Sequence, residues 1–190
     1  LDTGDVTRLT GFTDHAWDVA FTPDGARLIS VHGNGEIIVW DIASRNEVAR
    51  FWGLPGMRGI ALLPDGNTAV IRPQGMWAQL NRWDLTTGFV TGVWTIHYDS
   101  YAEFQAQYAD GKIPEGAAAL AAAPDGTWLA VASTYGRIWH WDVATGQPTV
   151  LADTENTLPM FNVMSLNFTA DGSSLIYLDR QADTINVIDA

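Results

Sequence analysis

The sequence predicts an all-β chain, a β-propeller of four-stranded antiparallel blades with about four blades present. Three observations carry this. A turn signal recurs four times, as FTPDG at 21–25, LLPDG at 62–66, AAPDG at 122–126 and FTADG at 168–172. A closing signal follows each one: VWD ending at Asp41, RWD at Asp84, HWD at Asp142 and VID at Asp189. The spacing from turn aspartate (Asp24, Asp65, Asp125, Asp171) to closing aspartate is 17, 19, 17 and 18 residues, which chance Asp-Gly pairs do not give. Finally, short apolar runs of strand length fill the intervals between these signals.

Within each unit the elements follow in a fixed order. An apolar run comes first (AWDVAF, RGIALL, AAALAAA, VMSLNF). The Asp-Gly turn, preceded by Pro in three units, then offers a preset φ, a side-chain acceptor and a residue free to take positive φ. A second run follows (RLISV, TAVIR, WLAVA, SLIYL), then a polar connection, then a third run ending in Trp-Asp or Ile-Asp. DLTTG, DVATG and the opening LDTG make the next turn, leading into a fourth run such as EVARFW or FVTGVWT. The units span approximately 11–52, 53–95, 116–152 and 160–190, with 1–10 expected as the outer strand that closes the last blade and 96–115 as an insertion.

Residues 10 to 42, TGFTDHAWDVAFTPDGARLISVHGNGEIIVWDI, resemble one repeat of the WD-repeat propeller family, and the other units resemble it less closely. The resemblance implies a propeller whose blades are fixed by a hydrogen-bonded set of His, Ser or Thr, Asp and Trp. Here the Gly-His position reads Gly11-Phe12, the Ser position is met by Ser30, and the turn Asp is replaced by Asn34 and Tyr135, returning as Asp183. Trp40, Trp83 and Trp141 remain. No unit has the full set, so apolar packing between sheets is expected to carry more of the stability. Rings of this family more often have six to eight blades. The chain is therefore expected to be a fragment of a larger ring, a closed four-blade ring, or half of a ring made by two chains, with self-association where the ring is incomplete.

The insertion is the one break in the repeat. From Asp41 to Asp65 is 24 residues, whereas from Asp84 to Asp125 is 41, so about 17 have been added between the second and third units. Within it, Ser100 and Glu103 have capping-box spacing, Tyr101, Phe104 and Tyr108 form an i, i+3, i+7 aromatic stripe, and Gly111 supplies a stop. A short helix near 100–110 is predicted. So short a helix needs a packing surface, and either the propeller rim around Met76 and Trp77 or another protein can provide it. In the family this link lies on the same face as the connection between second and third strands.

Composition narrows the function. The net charge of −12, from 22 acidic and 10 basic residues, argues against a nucleic-acid partner and favours a basic protein. The absence of cysteine excludes a disulfide framework, a thiolate metal site and a cysteine nucleophile, and leaves the compartment open. No apolar run approaches the length of a membrane helix. The histidines at 15, 32, 97 and 140 are scattered and outside any nucleophile motif; His140 reads as a strand position and His32, at a strand end next to Gly33, as a loop residue. No catalytic residue, metal or cofactor is expected.

A residue that recurs in every unit serves the blade, which is the reading for Asp24, Trp40, Asp41, Asp65, Trp83, Asp84, Asp125, Trp141, Asp142, Asp171 and Asp189. Function is expected where the units disagree, with Trp77, Tyr101, Phe104, Tyr108 and Tyr135 as candidate anchors for a protein partner. The alternative is an enzyme or small-ligand propeller with a site at the central channel mouth, where the innermost runs offer Asp18, Arg58 and Asn167.

Overall fold

The computed structural model describes residues 4, 6–74, 79–95, 117–133, 136–152, 163–180 and 182–190. Fifteen strands form four antiparallel sheets, each lying inside one of the four sequence units. The first blade is β1 (Ala16–Phe21), β2 (Arg27–His32), β3 (Glu36–Asp41) and β4 (Asn46–Trp52). The second is β5 (Met57–Leu62), β6 (Thr68–Pro73), β7 (Gln79–Asp84) and β8 (Phe89–Thr95). The third is β9 (Ala117–Ala122), β10 (Trp128–Ser133), β11 (Ile138–Asp142) and β12 (Pro148–Ala152). The fourth has β13 (Val163–Phe168), β14 (Ser174–Asp179) and β15 (Thr184–Asp189). No helix occurs among the described residues; the stretch 100–110, where the sequence places one, lies outside them.

Strand alternation decides how the blades stack, because a period of two gives each sheet two apolar faces. In the first blade Ile29, Val31, Ile37 and Val39 point to the second blade and meet Met57, Ile60, Ala69, Ile71 and Trp83 there. The next layer joins Ala61, Val70 and Leu80 of the second blade to Leu129, Val131 and Trp141 of the third. The last joins Ala130, Ala132 and Ile138 to Val163, Leu166 and Leu175. Among the described residues no such layer joins the fourth blade to the first. The faces left over carry exposed apolar side chains: Trp17, Val19 and Phe21 on β1, and Leu178, Ile185 and Val187 on the fourth blade. Residues 6–10 carry no strand, and β15 has one neighbour, β14; the closing strand read from 1–10 stays an expectation.

The repeated turns share one chemistry. Gly25, Gly66, Gly126 and Gly172 all take φ near +70°, which a side chain disfavours. The preceding aspartates accept from the chain beyond the turn: Asp24 from the Ala26 N–H, Asp65 from Asn67 and Thr68, Asp125 from Thr127, and Asp171 from Ser173. Three of the closing aspartates do the same at the outer turn, with Asp41 accepting from the Ser44 N–H, Asp84 from Thr86 and Asp142 from Thr145. These donors favour the charged carboxylate, so hydroxyls and amides of the turns hold Asp24, Asp41, Asp84, Asp125, Asp142 and Asp171 below the ordinary range, and at Asp65 burial pushes upward but Thr68 and Asn67 outweigh it.

The first blade corrects one reading of the sequence. His32 is not a loop residue: it ends β2, is fully buried, and extends a hydrogen-bond chain that starts at Trp40. Trp40 Nε1–H donates to Ser30 Oγ at 2.9 Å, Ser30 Oγ lies 2.9 Å from His32 Nε2, and His32 Nδ1 lies 3.4 Å from the Asp14 carbonyl oxygen. With a neutral imidazole one proton arrangement satisfies all three contacts: Ser30 donates to Nε2 and the Nδ1–H donates to the Asp14 carbonyl oxygen. Phe12, at the position where the resemblance calls for His, packs on the His32 ring with centroids 4.8 Å apart. The histidine has been supplied from the strand instead of the loop. Trp83 has no such chain: its indole N–H is buried without a partner among the described residues, while Trp141 donates to the Gly146 carbonyl at 2.9 Å.

Beside this chain lies Glu36, also buried, whose carboxylate accepts from Arg50 Nη1 at 2.6 Å and from the Thr13 N–H at 3.3 Å. Burial pushes its carboxyl upward, but Asn34, Thr13 and Arg50 together outweigh that and hold it below the ordinary glutamate value. Arg50 Nη2–H also donates to the Gly11 carbonyl, which pins the stretch before β1 to the blade.

Candidate functional site

Antiparallel pairing sorts the connections onto two faces. Ala16 opposes His32, Met57 opposes Pro73, and Ala117 opposes Ser133. The starts of β1, β5 and β9 therefore lie beside the ends of the second strands. Likewise Gln79 opposes Thr95 and Ile138 opposes Ala152. The strand ends flanking 75–78, 96–116, 134–135 and 153–162 consequently share one face, and the Asp-Gly turns and outer turns share the other. Trp77, Tyr101, Phe104, Tyr108 and Tyr135 belong to those connections and lie, with His97, outside the described residues.

On the same face the four innermost strands surround a cavity of about 720 Å³. Its polar wall comes from Asp18 on β1, Arg58 on β5, Arg72 on β6 and Gln74 just beyond it; Ser165 and Asn167 of β13 stand in the wall of the fourth blade. The remainder is apolar and small, with Ile60, Ala117 to Leu120, Val163 and Leu166. The three channel residues expected from the sequence, Asp18, Arg58 and Asn167, are thus brought together around one space.

The polar side chains of the wall are held by hydrogen bonds, with one donor of Arg72 left over. Asp18 Oδ2 accepts the Ile60 N–H at 3.0 Å, so its carboxylate links the first blade to the second. Arg58 donates through Nη2–H to Gln74 Oε1 at 2.6 Å, and its guanidinium carbon sits 3.3 Å from the Trp17 ring centroid. That contact, worth about 0.5–2 kcal/mol in general, fixes the indole at the cavity rim with 47% of its surface exposed. Arg72 donates to the Arg58 carbonyl at 3.3 Å through Nη2–H, while its Nε–H is buried without a partner among the described residues. Burial drives the Arg72 guanidinium down to about 10; the Asp18 carboxylate opposes this and Arg58 adds to it. It remains cationic at neutral pH.

The sequence reading missed Arg72 and Gln74. A signal for Arg72 was present: Gly59, in the innermost strand, pairs directly with Arg72. A Cβ at Gly59 would stand 3.2 Å from Arg72 Nε and 3.0 Å from Leu120 Cδ2, so the missing side chain is what lets the guanidinium cross to the cavity. The other described histidines stand apart from it. His15 is exposed and bonded to Asp14, and His140 stacks on Trp128 with centroids 4.5 Å apart. Among the described residues no cluster of His, Cys, Asp or Glu has the form of a metal site.

Four antiparallel sheets stacked face to face about a central cavity define a propeller arrangement. Comparison with known families agrees: the family model described as WD domain, G-beta repeat, matches residues 5–41, which are the first three strands and the stretch leading into them. Residues 5–41 are thus similar to a WD repeat, and they lie in a four-blade propeller arrangement; WD propellers commonly mediate protein interaction. No curated protein matches the chain.

Proposed function

We propose that this propeller is a non-catalytic platform that docks a protein partner on the face where β1, β5, β9 and β13 begin. The observation that supports this reading is the Trp17–Arg58 pair at the cavity rim, an exposed indole held rigid by a stacked guanidinium. Tryptophan and arginine are the residue types that dominate interface energetics. The connections that carry Trp77, Tyr101, Phe104, Tyr108 and Tyr135 leave from this same face and extend the docking surface. The net charge of −12 favours a partner that is basic overall, through steering and complementarity more than through raw affinity.

Binding to an array of structured and unstructured domains of graded charge, read by interferometry, tests the reading. Basic members are expected to bind, with W17A weakening association at least tenfold while the cooperative fold is retained. The pair Y101A/F104A separates an anchor from a packing element: lost binding at full stability supports an anchor, whereas intact binding with lowered stability makes the insertion a spacer. Binding insensitive to W17A and abolished by changes in the Asp-Gly turns would place the partner on the opposite face and overturn the proposal.

A further inference from the structure

The central cavity has a chemistry opposite to that of the protein around it. Ten basic residues serve the whole chain against 22 acidic ones, yet two arginines and one aspartate meet here. Arg72 is unusual among them in holding a buried Nε–H with no acceptor among the described residues, while its neighbours Arg58 and Asp18 already have theirs. A buried cationic donor left unpaired costs free energy, which is recovered when the guanidinium turns toward an acceptor in the cavity that Arg72 lines. Gly59 gives that guanidinium room to lie across the innermost strand, where a Cβ would stand 3.2 Å from Nε and 3.6 Å from Nη2.

We propose that this cavity is a binding site for a monocarboxylate carrying a small apolar body. The net positive charge of the polar wall is a single unit, two guanidinium groups against the Asp18 carboxylate. That balance suits one carboxylate and disfavours a dianionic phosphate, which Asp18 repels. Arg72 presents the fork geometry that pairs with carboxylates. Opposite it, Ala117 to Leu120, Ile60, Val163 and Leu166 accept the apolar body, and the Ser165–Asn167 pair, bonded to each other at 3.0 Å, offers polar contacts at the far wall. At about 720 Å³ the cavity falls in the general size range of small-ligand pockets, roughly 300–1,000 Å³. A free short-chain acid and the C-terminus of a peptide share this chemistry. The site stands independently of the platform reading, since a small acid needs only the cavity and no rim.

The test is a titration of the whole chain with hexanoate, with acetyl-Ala-Ala-Leu as free acid and as amide, and with inorganic phosphate, following the arginine Nε–H signals by ¹⁵N NMR. The expected result is a saturable shift of the Arg72 signal by hexanoate, by the peptide acid or by both, with the amide at least tenfold weaker. Which of the two acids binds more tightly identifies the source. R72Q is expected to weaken binding about tenfold or more, the loss of one charge-assisted contact; should R72Q fail to fold, R58Q removes the second cation and is expected to weaken it as well. Equal binding of acid and amide, tighter binding of phosphate, or an Arg72 signal that no probe moves overturns the proposal. The acid, amide and phosphate titrations and R72Q leave the Trp17–Arg58 pair in place, so the cavity and the rim are judged separately.

Discussion

Replacing Ser30 by Ala isolates the hydrogen-bond chain of the first blade. The hydroxyl is the acceptor for Trp40 Nε1–H and the partner of His32 Nε2, both at 2.9 Å, and all three side chains are buried. Alanine fits the space and removes a single oxygen, so cavity and packing terms stay small. What remains is an indole N–H and an imidazole nitrogen with no partner and no route to water. Each such group costs about 1–3 kcal/mol, and partial relaxation brings the expected loss to about 2–4 kcal/mol. Urea unfolding followed by far-ultraviolet circular dichroism measures it as a lower midpoint at unchanged slope. The same change made on a Trp40→Phe background removes the indole donor first, so Ser30→Ala is then expected to cost at least about 1 kcal/mol less. A loss below about 0.5 kcal/mol, or strict additivity in the cycle, would show that the chain of contacts contributes nothing and that apolar stacking alone fixes the blade.

Three further outcomes follow from the structure. Arg50→Ala strands the buried Glu36 carboxylate and is expected to cost about 3–5 kcal/mol in the same unfolding assay, with R50A/E36Q recovering part of it. The turn carboxylates predict an acid limb: Asp171 is held down to about 2 by the Thr169 hydroxyl and the Ser173 amide and hydroxyl, against 3.8 unperturbed. A folded value below the unfolded one means its contribution is full above the unfolded value and lost as pH falls through the folded one, so stability is expected to decline from about pH 4 to about pH 2, less steeply in D171N. The exposed apolar faces of the first and fourth blades predict concentration-dependent association in light scattering, relieved by V19K/V187K; a monomer at all concentrations would refute it.

Much of the architecture was legible because it is periodic. The Asp-Gly turns, the closing Trp-Asp pairs and the alternation of apolar runs are local signals, and local signals survive in a single sequence. The cavity was legible in part for the same reason: Asp18, Arg58 and Asn167 sit on innermost runs that the repeat identifies. Arg72 escaped because it lies on the second strand, and its reach into the channel depends on a glycine in a different strand. His32 escaped for a related reason. Reading it from the Gly33 beside it suggests a loop, whereas its spacing of two from Ser30 puts both on one sheet face, where burial turned a scattered histidine into a structural one.

The division of the propeller into a face of uniform turns and a face of unlike connections has a consequence for how such a chain can change. On the turn face every blade solves the same problem with an Asp-Gly turn whose carboxylate accepts from the chain beyond it, so a substitution there meets one common physical standard. On the other face each connection is bounded by its own pair of strand ends, and lengthening one leaves the register of its neighbours untouched. Recognition can therefore be rewritten one connection at a time, much as a keyboard is relabelled without rebuilding the keys.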